Sequence, residues 1–187
     1  MSRWIHRFLL SVGAGLLVYV AYVEIDRRLY QETVNLHLLS PRPPTWPATT
    51  PRGLEARLEI PRLALSVLVS EGTSALTLRR AVGHIEGTAI PGTIGNIGLA
   101  GHRDTFFWPL RNIRLQDVIM LTTDEGMFEY RVVSKRIVPP TEVSVLAPDA
   151  GQVLTLVTCH PFYFVGMAPN RFIVRAERLF IQDEGHR

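Results

Sequence analysis

Three residues far apart in the chain are of types that could do chemistry together. Cys159 is the sequence's single cysteine. A thiol attacks as its thiolate, so it needs a base to take its proton or a charge to support the anion. His102, 57 positions upstream, can hold a thiolate as an ion pair or share its proton, then protonate a departing amine. Arg171, 12 positions downstream of the cysteine, is a fixed cation with planar donors, suited to a substrate backbone or a tetrahedral oxyanion. Each lies in a compact motif: Ala100-Gly101-His102-Arg103-Asp104, Thr155-Leu156-Val157-Thr158-Cys159-His160-Pro161 and Ala168-Pro169-Asn170-Arg171-Phe172. Each motif sits at the end of a predicted strand, where a rigid element can deliver a side chain to a rim. Pro161 has no N–H, so an oxyanion donor immediately after the thiol would be the backbone N–H of His160.

Every one of these residues also has a plainer reading. A free cysteine is among the most buried side chains and is usually inert. His102 could simply end a strand, Arg171 could be a surface cation, and Asp104 or Thr105 could cap a helical turn over Phe106, Phe107 and Leu110. Imidazole and thiolate both bind zinc, which makes His84, His102, His160 and Cys159 a second grouping. No close His-x-x-x-His or Cys-x-x-Cys spacing supports it, and no metal is assigned. His84 follows a short predicted helix and reads as a capping or groove-lining residue. The aromatics Phe106, Phe107, Phe162, Tyr163 and Phe164 suit either a groove or the core. A lone thiol excludes a disulfide scaffold.

The elements that must position these residues follow from length and pattern. A chain of 187 residues holds one ordinary domain plus an appendage. With 47% hydrophobic and 20% charged residues, it has ample core material and is not wholly disordered. The net charge is +3, and from Arg52 onward 15 basic residues face 14 acidic ones, which offers no stripe for tracking phosphates and argues against nucleic acid. The uncharged run 8–23 follows Arg3, His6 and Arg7, the pattern of an N-terminal anchor with a cytoplasmic basic flank. No clean small-x-small cleavage site follows it, so an uncleaved anchor is expected. Its 16 residues reach about 24 Å as a helix, short of a roughly 30 Å hydrocarbon core unless Trp4, Ile5 and the next turn contribute. A weak helical pattern over residues 27–40 could continue it outward.

Pro41, Pro43, Pro44, Pro47 and Pro51 then predict an extended stalk on the order of 34 Å long. The organisation expected is an anchor over residues 1–26, a proline-rich stalk over 27–53 and a folded domain over 54–187. Within that domain alternating residues from Leu58 to Val69, broken at Pro61, predict two short strands. A short helix is expected after Ser74 as N-cap. A turn and strand should occupy 90–101, a hairpin should form around Asp124, Glu125 and Gly126, and strands should cover 153–158 and 171–176. Many short strands, mostly antiparallel, predict an all-β fold closed or nearly closed into a barrel.

Taken together, the motifs resemble a known family. Thr-Leu-x-Thr-Cys at 155–159, the arginine 12 positions later and the histidine 57 positions earlier are similar to the sortases, membrane-anchored cysteine transpeptidases. The stretch from Thr158 to Val174, with Gly101-His102-Arg103-Asp104-Thr105-Phe106-Phe107, is most similar to class D. The resemblance covers roughly residues 54–180 and implies a closed eight-stranded barrel behind a transmembrane helix. It implies His102, Cys159 and Arg171 as catalytic residues, with Thr158 and His160 at the substrate pocket. A sorting signal of the Leu-Pro-x-Thr-Gly or Leu-Pro-x-Thr-Ala kind would be cut through a Cys159 thioester that an amine resolves. No cofactor or metal is needed. The implied partners are proteins bearing the signal, an amine acceptor and the membrane, with the catalytic domain outside the cytoplasm. His160 departs from the tyrosine common in class D. A cysteine endopeptidase of the same fold, or an exported binding barrel with an inert thiol, are the rival readings.

Overall fold

The computed structural model describes residues 2–39, 54–164 and 166–180. The prolines read as a stalk lie outside the described residues. A 38-residue helix, α1 (Ser2–Leu39), runs without a break through the expected boundary between residues 26 and 27. Among the described residues it is the one helix long and apolar enough to cross a membrane, over Arg3–Glu32.

Eight strands follow: β1 (Ala56–Ile60), β2 (Leu65–Glu71), β3 (Val82–His84), β4 (Gly95–Ala100), β5 (Val118–Thr123), β6 (Gly126–Val138), β7 (Gln152–His160) and β8 (Asn170–Arg178). They close into a barrel in the order β1-β2-β3-β4-β7-β8-β6-β5, which leaves no open sheet edge along the wall. The β2–β3 and β4–β7 ladders are parallel and the other pairings antiparallel. The alternation read from sequence is an in–out pattern. Leu58, Ile60, Val67, Val69, Ile97, Leu99, Leu121, Leu154, Leu156 and Val174 fill the interior, each contributing about 1.5–3 kcal/mol of apolar burial. Tyr130 is buried with them, and burial pushes its phenol up to about 12.

The break at Pro61 is a 3-10 turn, Pro61–Leu63, ending on Ala64 at φ 48°. The short helix α2 (Ala75–Arg80) is capped by Ser74, whose hydroxyl accepts from the Thr77 N–H. The turn after His102 differs from expectation. It is a 3-10 turn, Trp108–Asn112, with Phe107 at its N-cap and no side-chain cap, so neither Asp104 nor Thr105 caps it. Phe107 is instead drawn into the core together with Leu110 and Ile113. Burial of those three apolar residues, rather than capping, sets where the turn starts. Below it Asp117 accepts from Arg62 Nε and Nη2 and from the Arg114 N–H, and the Arg62 guanidinium holds its carboxyl below the usual range.

Candidate active site

β7 carries the thiol, and its alternation decides which way the thiol points. Leu154 and Leu156 lie in the core, so Thr155, Val157 and Cys159 face outward. On β8 Val174 and Ala176 are interior, which turns Arg171, Ile173 and Arg175 outward as well. The antiparallel register sets Cys159 directly opposite Arg171 and Thr158 opposite Phe172. Facing residues of this kind have Cβ atoms about 4.5–5.5 Å apart. The guanidinium and the thiol therefore share one face of the sheet. Arg171 Nη1 donates to the Asn170 carbonyl at 3.1 Å and more weakly to Ala168 at 3.4 Å, which curls the side chain over the strand end.

The histidine arrives from the parallel neighbour. β4 ends at Ala100, which pairs with Val157, and the ladder continues through Gly101 N–H to the Val157 carbonyl at 3.1 Å. Thr158 is buried, and its hydroxyl donates to the Gly101 carbonyl at 2.7 Å. Two bonds thus hold the residue before His102 beside the two residues before Cys159. Gly101 is glycine because a Cβ there would meet the Phe107 ring at 2.8 Å. His102 itself is exposed, and its carbonyl accepts from the Phe107 N–H.

The other expected residues take various places. Thr158 turns into the barrel, so its hydroxyl positions the His102 turn rather than lying on the outer face. His160 stacks on Phe172 at 6.2 Å and meets Phe162 edge-on at 5.9 Å, and its Nδ1 is buried with no hydrogen-bond partner among the described residues. His84 does not join the site. It is buried in β3 with Nδ1 on Glu71 at 2.9 Å and Nε2 beside Thr88 and the Ala89 carbonyl at 3.0 Å, so both ring nitrogens are committed and the capping reading is corrected. Among the described residues no group of three or more His, Cys, Asp or Glu could hold a metal. Of the aromatics, Phe107 and Phe162 are core, while Tyr163 is 78% exposed and meets Trp108 edge-on at 5.1 Å.

Sequence reasoning missed the residues that shape the surroundings. Asn96, buried on the outer face of β4, accepts from the Thr155 hydroxyl at 2.7 Å. Its amide donates to the Val145 and Ala147 carbonyls in the β6–β7 connection. Leu146 of that connection lies where a Gly98 Cβ would be, 2.9 Å away. Arg175 pairs with Asp149 at 2.6 Å, and the Gly151 N–H together with this guanidinium holds the Asp149 carboxyl below its usual range. At the other end Arg103 donates to the Phe164 and Gly166 carbonyls at 2.7 and 2.8 Å. Thr155 and Arg103 alone carried a signal, as members of the Cys159 and His102 motifs.

Residues 58–179 match the sortase domain family. The chain belongs to the sortase family. It is 36% identical over 123 residues to Sortase D of Bacillus subtilis, covering 65% of this chain and 62% of that protein's length. Among solved structures, a Clostridium perfringens Sortase D5 transpeptidase superposes with a TM-score of 0.69 at 23% identity, covering 82% of this sortase and 98% of that chain. Sortase C-1 from Actinomyces oris gives 0.62 at 30% identity, covering 67% and 73%. The shared barrel is the fold in which β7 sets Cys159 opposite Arg171 and holds the Gly101-His102 turn beside its end.

Proposed function

We propose that this sortase is a membrane-anchored transpeptidase acting outside the cytoplasm, with Cys159 as nucleophile, His102 as acid and base, and Arg171 as support for the oxyanion. The observation that carries it is the register that sets Cys159 opposite Arg171, with the His102 turn tied to the same strand end. The Cys159 sulfur attacks the carbonyl carbon of the threonine in a Leu-Pro-x-Thr-Gly or Leu-Pro-x-Thr-Ala signal. A C–S bond forms, the following peptide C–N bond breaks, and protonated His102 gives its proton to the leaving amine. Arg171 offers two parallel N–H donors where negative charge develops. An acceptor amine then attacks the thioester and loses its proton to His102, and the thiolate leaves.

The groups involved need no cofactor. Thr158 serves by holding the His102 turn against β7, and His160 by walling the rim beside the thiol. The test is mass spectrometry of the full chain in detergent with signal peptides and excess amine, beside Cys159→Ala. A Cys159-dependent acyl adduct and an amine-joined product cut after threonine are expected. Hydrolysed product alone would replace transfer with peptidase activity, and an unreactive thiol would overturn both.

A further inference from the structure

The end of the apolar helix does not leave the barrel free. Asp26 of α1 accepts from Arg80 Nη2 at 2.7 Å and Nε at 2.8 Å, with Arg79 at 3.6 Å. One turn on, the Tyr30 hydroxyl lies 2.8 Å from Ser70 Oγ, and Arg80 sits over its ring at 5.6 Å. Gln31 donates to the Arg80 carbonyl at 2.7 Å and accepts from the Leu68 N–H at 3.1 Å. Arg27 lies over Phe106, in the turn that follows His102. Residues 26 and 30, and 27 and 31, are i,i+4 pairs, so the contacts fall on one face of the helix.

The barrel wall is built to receive this face. Leu68 points away from the barrel core, yet it is fully buried, together with Ala81 and against Tyr30. The β2–β3 ladder begins only at Val69, and Gln31 takes the backbone N–H one residue before it. With the helix elsewhere Leu68 would lose its apolar cover from Tyr30 and its N–H would bond water in place of Gln31.

Distance along the helix then places this wall relative to a membrane. The uncharged run ends at Val23. Asp26 is about 4.5 Å further along the axis and Gln31 about 12 Å, at 1.5 Å per residue. Each headgroup layer is about 5–8 Å thick. With the hydrocarbon edge at Val23, the end of the uncharged part of the Arg3–Glu32 span, and the helix along the bilayer normal, the Asp26–Arg80 pair would lie within the headgroup layer and the Gln31 bonds just above it. We propose that residues 26–31 of α1 form a latch that seats the β2–α2 wall of the barrel on the lipid headgroups in one fixed orientation. The sortase is thereby matched to substrates tethered in the same bilayer rather than carried on a free stalk.

The latch stands on its own geometry, and only its consequence for turnover rests on the transpeptidase reading. The test uses the full chain in phosphatidylglycerol/phosphatidylethanolamine nanodiscs, as wild type, Gln31→Ala, Asp26→Arg, Arg80→Asp and the Asp26→Arg/Arg80→Asp pair. Hydrogen exchange at the Leu68 amide should rise about tenfold in the single variants, and the charge-swapped pair should restore it relative to Asp26→Arg. Turnover of a bilayer-tethered signal peptide, relative to the same peptide free in solution, should fall at least about fivefold in the singles and recover in the pair. Free-peptide turnover should stay within about twofold. Equal Leu68 exchange in all five proteins overturns the latch, and an unchanged tethered-to-free ratio overturns its role. Wild type that turns over neither peptide would sink the transpeptidase reading while the exchange data still decide the latch.

Discussion

The two connections at opposite ends of the outer face of β7 are held in different ways. The one entering β7, residues 139–151, is tied down by a buried amide, an ion pair and a leucine seated over Gly98. The one leaving it, residues 161–169, keeps Phe162 in the core but exposes Tyr163 and Met167, the latter at 95%. Among the described residues its other ties include the two carbonyls held by Arg103, the Phe164 ring 5.9 Å from the same guanidinium, the Ala168 carbonyl reached weakly by Arg171 and the edge of Trp108. A buried, fully partnered amide fixes position, whereas exposed side chains on a few bonds can be rearranged at little cost. The entering connection thus makes a rigid wall, and the leaving one a wall that can adjust beside Cys159.

The comparison is open to attack at both ends. Asn96→Ala should do most damage, because it strands the Thr155 hydroxyl and two carbonyls of the rigid wall. Expected are a melting temperature lower by about 5 °C and at least a tenfold loss of kcat/KM. If hydrogen exchange over residues 143–147 stayed as in the wild type, the amide would not be what holds that wall. Arg103→Ala should separate the two properties, with kcat/KM about tenfold lower while the melting temperature moves by less than about 2 °C. A thermal loss as large as that of Asn96→Ala would show that the leaving connection is equally structural.

The smallest effect expected is an acid one. The Asp149 carboxyl titrates below its ordinary 3.8 in the folded chain. Its contribution is complete above that value and is lost as pH falls through the lower folded one. Protection factors over residues 147–151, with the pH-dependent intrinsic exchange rates divided out, should therefore fall as pH is taken below about 4, and Asp149→Asn should show the lower protection already at neutral pH without that acid step. A variant with the wild-type profile would remove the ion pair from the account of the rigid wall.

Parts of the fold are legible in residue order alone. The Ser74 cap, the break at Pro61 and the hairpin at Asp124-Glu125 are local, so a few neighbouring residues determine them. The turn after His102 is not legible in this way, because its start depends on Phe107 reaching a core assembled from distant strands. His84 escapes local reading for a similar reason, since its partner Glu71 belongs to another strand.

By itself the sequence determined the kind of molecule: an apolar N-terminal helix, a strand-rich domain with the alternation of a barrel, and three motifs that carry a thiol, an imidazole and a guanidinium. All of these are contiguous patterns, written in residue type and short-range periodicity. The tertiary structure alone decided that Thr158 faces inward, that Asn96 meets Thr155 across 59 positions and that Asp26 meets Arg80 across 54. Such contacts arise from register and barrel closure, where a shift of one residue would send each side chain to the opposite face.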